Sequence, residues 1–504
     1  MGAWLLRGVK RYPGDTQQQY DLRIDGDRIT SWNTEGEGDC SGASIVDLAG
    51  YWVLPGFVDS HLHLLYSMEY QRQIDLAGLS LEEISTMIAN SDSGPKIGHG
   101  WKDPLPERMK PDPRRFLDAL VPSEPVFLWN ADLHRALFNS KTLEIAGLSS
   151  DTHSGIAVEE DAECLWNSLP RSLSADSSAA ADWLLSHGIT AATTFDRENS
   201  IRILQRDNSH GELGVWIRHG LPELQMRSAM EVGGQCLPVG SRHDSFAMPW
   251  VKLFLDGTLG SRTAWMKSDY SDDPGNRGVV RLSGDALDEV AREAARGGWA
   301  LAIHAIGDAA VCEANRAIAL TKSLRSEDLP DRIEHFQLVD PTDLREIHET
   351  GTIASFQPCH LYQDRATLLD RWGPRSSNAF ALRSVDNADI PIILGTDAPV
   401  EELDPWCDLQ AAVMRLDRDG SGPPFETSQS VSFQAAFHWR SAGAAQGNFL
   451  PKGWGTLEPG TVADLQILGT VHPEKVRSQK EAQLLDVYSF GSWRLGRVGE
   501  VNAC

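Results

Sequence analysis

Six side chains of metal-ligand type stand at the ends of short apolar runs. They are His61 and His63 in LPGFVDSHLHL, Lys252 in WVKLFLDG, His304 in ALAIHAIGD, His335 in RIEHFQ and Asp397 in IPIILGTDAP. Imidazole nitrogen and carboxylate oxygen suit zinc and its first-row neighbours, so the set points to a metal centre capable of hydrolysis. In an extended segment residues two apart share a side, so His61 and His63 project together with Asp59 just behind them. That pair reads either as a metal site or as two polar residues opening a loop. Lys252 shares its side with Phe254 and Asp256, whereas Val251, Leu253 and Leu255 face the other way. A lysine on an inner face must be paired, neutralised or chemically changed, because burial disfavours the charged amine. Pairing with Asp256 is one solution. Carbamylation by CO2, giving a carboxylate-like ligand able to bridge two metals, is the other. His304 follows Ala300 and Ala302, small residues that leave room for an imidazole and an ion. Alternation places His335 with Ile333 on one face, and Arg332 with Glu334 on the opposite one. Asp397 has Gly395 and Ile393 on its side, and as a lone carboxylate it could equally cap the next helix.

These residues make one site only if the intervening elements bring them to a common rim. Strands are predicted at roughly 54–60, 189–196, 214–219, 250–256, 299–304, 331–336, 352–357 and 391–397. Between them fall helical stretches such as DALDEVAREAARGG and DAAVCEANRAIALTK, with apolar spacing near three and four. Eight strands alternating with helices give an α/β chain folded as a (β/α)8 TIM-like barrel, whose C-terminal face gathers side chains from many strands. His304 and His335 are 31 residues apart, one strand–helix unit, and His335 and Asp397 are 62 apart, two units. Residues 66–187 are too many for one crossover and are rich in Pro, Trp and polar side chains. They are expected to form an inserted subdomain after the first strand that shapes a pocket. Both chain ends alternate polar and apolar residues, as in QYDLRIDGDRITSW and ADLQILGT, yet neither has enough strands for a stable sheet alone. The predicted division is therefore 1–53 with 455–504 as a small β-sandwich, and 54–454 as the metal-binding barrel carrying the 66–187 insertion.

Composition narrows the function classes. Hydrophobic residues at 41% of 504 are ample for a large core. A net charge of −25 argues against nucleic acid, which requires a basic footprint, and is read as solubility. No run of eighteen apolar residues exists to span a membrane. The opening MGAWLLRGVKRYPG has an apolar cluster too short for a secretory signal, and Leu6 stands where a myristoylation signal wants Ser or Thr. Seven scattered cysteines with no CxxC pair fit neither a zinc ribbon nor a disulfide framework, so a cytoplasmic location is expected.

Several longer segments carry a resemblance: LPGFVDSHLHL, GHGWKD, ADLHRALFNS, VKLFLDGTLGSRTAW, HAIGDAAV, RIEHFQLV, SFQPCH, LGTDAPVEELDPW and GTLEPGTVADLQIL. Over nearly its whole length the chain resembles the amidohydrolase superfamily, in its YtcJ-like, type 3 branch. It departs from that pattern where members typically read GWD and this chain has Gly100-Trp101-Lys102-Asp103. The resemblance implies that His61, His63, Lys252, His304, His335 and Asp397 hold one or two divalent metal ions, zinc foremost, with Mn, Fe, Co or Ni able to fill the same shell. It implies a CO2-derived carbamate on Lys252, and metal-activated hydroxide that cleaves a C–N bond of an amide or N-substituted formamide. Asp397 is the expected catalytic proton carrier. Trp101, His134, Arg262 and His360 are the expected contacts for a small amide-like substrate, Arg262 being equally readable as a loop-stabilising ion pair. Self-association is common in such proteins. A relative acting on esters or carbamates, or catalysing a non-hydrolytic step, is the alternative. A barrel that has lost catalysis should have lost ligands, and this one has all six.

Overall fold

The computed structural model describes residues 2–498 apart from 16, 92–93, 103, 111, 132, 150–153, 171–176, 197, 210–212 and 232–239. Asp103 of the GWKD segment is thus outside the described residues. The chain divides into two compact units, one of Met1–Leu65, Asp176–Asp256 and Ala264–Cys504, the other of Tyr66–Ala175 with Gly257–Thr263.

At the heart of the first unit is a parallel barrel of eight strands: β1 (Phe57–Leu62), β2 (Ile189–Thr194), β3 (Trp216–Pro222), β4 (Phe246–Phe254), β5 (Ala300–Ala305), β6 (Arg332–His335), β7 (Ile353–Phe356) and β8 (Ile392–Leu394). Each pairs with its neighbour in chain order. The circle is drawn together where Asp397 N donates to His61 O at 2.7 Å and His63 N donates to Ala398 O at 2.8 Å. Only glycine permits this approach at position 395, since a Cβ there would lie 2.4 Å from His61 N. Helices cover the outside, so β1, β2, β5, β6, β7 and β8 are buried along their whole length, which explains their nearly continuous apolar runs. The helix Gly284–Arg296 buries Leu287, Val290, Ala291, Ala294 and Ala295, the three-and-four spacing of one helical face.

Both chain ends build one further sheet system of eight strands. Strand Ala3–Arg11 belongs to both halves of it. Ala3–Arg7 pairs with Ala43–Asp47, and beyond an irregularity between Leu6 and Val9, Lys10 and Arg11 pair with Trp52 and Val53. The C-terminal strand Leu465–Leu468 lies antiparallel to Trp52–Pro55. Leu6, Leu22, Ile24, Val53, Ile467 and Tyr488 meet in a common core, the sandwich expected of the two ends. The run predicted as one strand over 54–60 is two. Trp52–Pro55 completes the terminal sheet and β1 opens the barrel, with Gly56 between them packed so closely that a Cβ would lie 2.2 Å from Thr190 Oγ1.

The second unit has its own five-stranded sheet, in the order Ile156–Val158, Arg135–Phe138, Val126–Asn130, Lys96–Trp101 and Ile74–Asp75. It has its own cores, one around Phe127, Trp129 and Trp166, another around Leu117, Leu128 and Leu137. Its limits differ from the expected 66–187. Helix Ser177–Leu185 packs on β2 and belongs to the barrel unit, whereas 257–263 joins the insertion. Among the described residues no helix is long and apolar enough to cross a membrane.

Candidate metal centre

Four imidazoles and one carboxylate converge where β1, β6 and β8 end and the chain leaves β7. His61 Nε2 and His63 Nε2 lie 3.4 and 3.3 Å from Asp397 Oδ1, and His360 Nε2 lies 3.5 Å from Asp397 Oδ2. The ligand atoms of His61, His63 and Asp397 are mutually within 4.8 Å, as are those of His335, His360 and Asp397. These separations are long for hydrogen bonds. They match the roughly 3.4 Å edge between two donors that each stand ~2.0–2.1 Å from one tetrahedral ion.

Hydrogen-bond partners fix the direction of the electron pairs. His61 Nδ1 is 2.6 Å from Glu334 Oε2. Burial works against ionising Glu334, but Arg332 and His61 beside it hold its carboxyl well below the usual carboxylate range. Burial also pushes the His61 imidazole down, toward its neutral form. The ionised Glu334 can only accept, so the proton of neutral His61 sits on Nδ1 and the lone pair on Nε2. His63 Nδ1 faces the carbonyl oxygen of Phe195 at 3.2 Å, and because a carbonyl only accepts, Nδ1 carries a proton there as well. Two nitrogen lone pairs are therefore aimed at one carboxylate oxygen. Burial opposes ionising Asp397 too, yet His61 and His63 keep its carboxyl well below the usual range, and its Oδ1 accepts no hydrogen bond. Converging electron pairs repel unless a cation lies among them, so these residues fit a divalent metal ion.

The remaining expected ligands border this cluster. The His335 ring is 4.9 Å from that of His61 and 4.5 Å from that of His304, and its buried Nδ1 has no hydrogen-bond partner. Burial first, then His304 and His61, push its imidazole far down. His304 Nε2 lies 3.5 Å from Asp256 Oδ1. Lys252 is 5% exposed and its Nζ sits 4.6 and 4.8 Å from the ring centroids of Phe195 and Phe254 without a hydrogen-bond partner. The pairing of Lys252 with Asp256 does not occur, because the Asp256 carboxylate accepts from the backbone N–H groups of Trp265, Ile306 and Gly307. Burial lowers the Lys252 amine to about 8, which leaves a neutral fraction able to react with CO2.

Alternation along β6 predicted the wrong inner face. Arg332 and Glu334 point into the barrel, where Arg332 donates to Ser355 Oγ at 3.2 Å and stacks 5.0 Å from the Trp250 ring. His335 reaches the same space because its backbone turns into the left-handed region, φ 69°, just past the strand's regular part. Asp397 does likewise at φ 59°. Non-glycine residues rarely adopt this conformation, and it persists only where surrounding structure enforces it.

Beside Asp397 that enforcement is a chain of buried ionic bonds beneath the rim. Asp59 Oδ1 accepts from His61 N and Thr396 N, and Oδ2 accepts from Thr396 Oγ1 at 2.8 Å and Arg440 Nη2 at 3.0 Å. Arg440 Nη1 donates to Asp408 Oδ2 at 2.8 Å, and Asp408 Oδ1 accepts from Cys359 N. One network thus fixes the backbone beside His61, Asp397 and His360.

The other expected substrate residues fall in the second unit. Trp101 is buried there and its indole N–H donates to Leu128 O at 2.8 Å. His134 Nδ1 lies 2.8 Å from Glu159 Oε2, and Glu159 Oε1 accepts from Thr263 Oγ1 at 2.8 Å. Arg262 sits in the 257–263 segment with φ 55°. Sequence reasoning missed Glu334, whose inward direction depends on the turn at His335. It also missed His219 near the end of β3, fully buried with Nδ1 2.7 Å from Gly220 O and pushed by burial to about 4. Its position on the same rim was the available signal.

Residues 44–498 match the model of a family described as the amidohydrolase family. An Arabidopsis thaliana protein, LONG AFTER FAR-RED 3, is 27% identical across 89% of this chain and 83% of its own length. A Bacillus subtilis protein described as an amidohydrolase, YtcJ, is 28% identical across 84% and 85%. The N-substituted formamide deformylase of Arthrobacter pascens is 23% identical across 94% and 95%. Among solved structures, an uncharacterized metal-dependent hydrolase from Pyrococcus furiosus superposes with a TM-score of 0.77 at 28% identity, over 94% of this chain and all of the other. With candidate metal ligands on the barrel rim and the family match covering residues 44–498, this chain belongs to the amidohydrolase family, a family of metal-dependent hydrolases.

Proposed function

We propose that this protein hydrolyses a C–N bond in an amide or N-substituted formamide. The observation that carries the reading is the aim of the His61 and His63 lone pairs at Asp397 Oδ1. His61, His63 and Asp397 would hold a divalent ion, zinc foremost, with Lys252 as its carbamate, His304 and His335 completing the set. Such an ion supplies a nucleophile at neutral pH and polarises the substrate carbonyl.

The chain's own residues do the rest. Glu334 and the Phe195 carbonyl hold the two imidazoles in one tautomer, which keeps Nε2 of each available as a donor. Asp397, ionised across the neutral range, accepts the proton released by the attacking water and returns it to the leaving nitrogen. That return matters because an unprotonated amine anion is a poor leaving group, whereas an alkoxide departs more readily. The full-length similarity to a deformylase of N-substituted formamides supports the substrate class.

A matched panel of N-substituted formamides, N-acyl amines and the corresponding esters tests this, using protein loaded with Zn²⁺. Amide or formamide turnover is expected, with Asp397→Asn harming amides more than esters. Turnover of esters alone, or equal loss on both in the variant, would move the reading to an esterase on the same scaffold.

A further inference from the structure

We propose that the Gln357 side chain accepts the N–H of the scissile amide, so that the site selects secondary amides and formamides over N,N-disubstituted ones. The inference rests on the amide-hydrolysis reading above and adds to it a substrate class and the residue that reads it. Gln357 is the first residue beyond β7 and is 1% exposed. Pro358 after it keeps its backbone extended, φ −120° and ψ 80°, so strand alternation still holds there. Its side chain accordingly shares the inward face with Ser355. Ser355 Oγ accepts from Arg332 Nη2 at 3.2 Å inside the barrel, and Gln357 Nε2 reaches that same oxygen at 3.5 Å. The carboxamide therefore lies one layer above Arg332 and Ser355, on the rim side. The backbone around it leads straight into the cluster. Gly395 N, two residues before Asp397, donates to Phe356 O at 3.0 Å, and His360 N donates to Gln357 O at 3.1 Å.

One atom of this side chain has no partner in the polypeptide. Gln357 Oε1 is buried and accepts no hydrogen bond, a state that buried polar atoms rarely keep without a ligand or a water. A neutral carbonyl oxygen suits a neutral donor. A secondary amide or formamide presents one such donor, its N–H, on the very nitrogen that must leave. An ester or an N,N-disubstituted amide presents none. Holding the N–H also orients the departure. As the carbonyl carbon becomes tetrahedral, the nitrogen gains a lone pair directed away from its N–H bond. With the hydrogen turned toward Gln357, that pair is free to face Asp397, the proton carrier, and the N–H bond itself is never broken.

The test compares a secondary formamide with its N-methyl analogue, as a ratio of kcat/KM, on the Zn²⁺-loaded full chain. Wild type, Gln357→Met and Gln357→Glu are measured side by side, with thermal melting confirming that each is folded. Methionine keeps the length of the side chain without a strong acceptor, and glutamate keeps the acceptor. Wild type is expected to favour the N–H substrate. Gln357→Met should lose roughly 10-fold of that preference, the worth of one neutral hydrogen bond, and Gln357→Glu should retain it. Equal losses on both substrates in Gln357→Met would assign the carboxamide to the substrate carbonyl or to the framework, and the proposal is overturned. Unchanged rates on both would put a water on Oε1, and a Gln357→Glu variant without the preference would show that the acceptor is not what reads the substrate; each of these also overturns it. All three results leave amide hydrolysis standing. A protein that turns over esters but neither formamide removes both readings.

Discussion

Two groups of buried charge share the barrel's C-terminal rim and treat their carboxylates in opposite ways. In the Asp59–Arg440–Asp408 chain every carboxylate oxygen accepts from an N–H or O–H group, and both terminal nitrogens of Arg440 donate. In the cluster just above it, Asp397 Oδ1, His335 Nδ1 and Lys252 Nζ are buried without a hydrogen bond, and two of the three residues carrying them sit in the left-handed backbone region. Leaving one such group unmade costs about 1–3 kcal/mol, more where it is charged. The difference teaches a division of labour. A network whose carboxylates are all satisfied is what allows an unsatisfied one to persist beside it, poised for a ligand that the polypeptide does not supply.

If this contrast is right, substitutions in the two groups separate activity from stability. The largest effect is expected at Asp397. Asp397→Asn removes the proton carrier and should lower amide kcat by about 10²–10⁴-fold, while the metal-free protein stays folded and loses only the part of its stability that His61 and His63 draw from the ionised carboxylate. Steady-state kinetics and calorimetry on one preparation check both halves. A variant that no longer folds would assign Asp397 to the framework.

Next in size is Arg440→Met. It leaves Asp59 and Asp408 buried without their shared cation, and loss of one partner from a buried ion pair removes about 3–5 kcal/mol of stability. Urea unfolding reads this directly. Burial already raises the Asp408 carboxyl to about 7 with Arg440 opposing it, so the variant should bind a proton at Asp408 at still higher pH. An unchanged midpoint would show that the network carries none of the weight given to it.

Lys252 turns the comparison round. Its amine falls from 10.5 to about 8 by burial, so between pH 8 and 10.5 the unfolded chain binds the proton more tightly than the folded one. Stability therefore climbs with pH across that window, and below it the charged amine is a burden of about 3 kcal/mol at 1.36 kcal/mol per pK unit. In CO2-free, metal-free buffer Lys252→Met should be more stable than wild type by about that amount at pH 7, and should flatten the rise toward pH 10.5. Its hydrolytic activity should nevertheless be lost. Equal urea midpoints at pH 7 would mean that the amine is already compensated.

What was legible in the sequence follows from what each signal depends on. The ends of apolar strands are local, so His61, His63, Lys252, His304, His335 and Asp397 stand out, and the barrel follows from their spacing. Side-chain direction is legible only while the backbone stays regular. At His335 it does not, and one left-handed residue exchanged the predicted faces and hid Glu334. The break at Gly56 was equally silent, because the close approach to Thr190 is made across 134 residues of sequence. His219 carried no partner motif, and His360 was read as a substrate contact on the rim, since its distance to Asp397 depends on a turn fixed by Asp408.

Glu334 offers the smallest effect and the finest discrimination. Its Oε2 atom serves both His61 Nδ1, at 2.6 Å, and Arg332 Nη2, at 3.0 Å, so replacing it with a neutral residue would disturb framework and ligand together. Glu334→Asp keeps the charge that Arg332 requires but withdraws the acceptor by about one methylene length, ~1.5 Å. The two roles then part. Framework pairing survives through the flexible guanidinium, while His61 loses the bond that fixes its tautomer. Outer-shell partners of this kind are worth about 10–100-fold in metal affinity, so Zn²⁺ binding should weaken by roughly 10-fold, the low end of that range, because a water can restore part of the bond. Melting of the metal-free protein should shift by no more than a few degrees. A large drop in melting temperature with unchanged Zn²⁺ affinity would place Glu334 with Asp59 and Asp408, on the satisfied side of the divide.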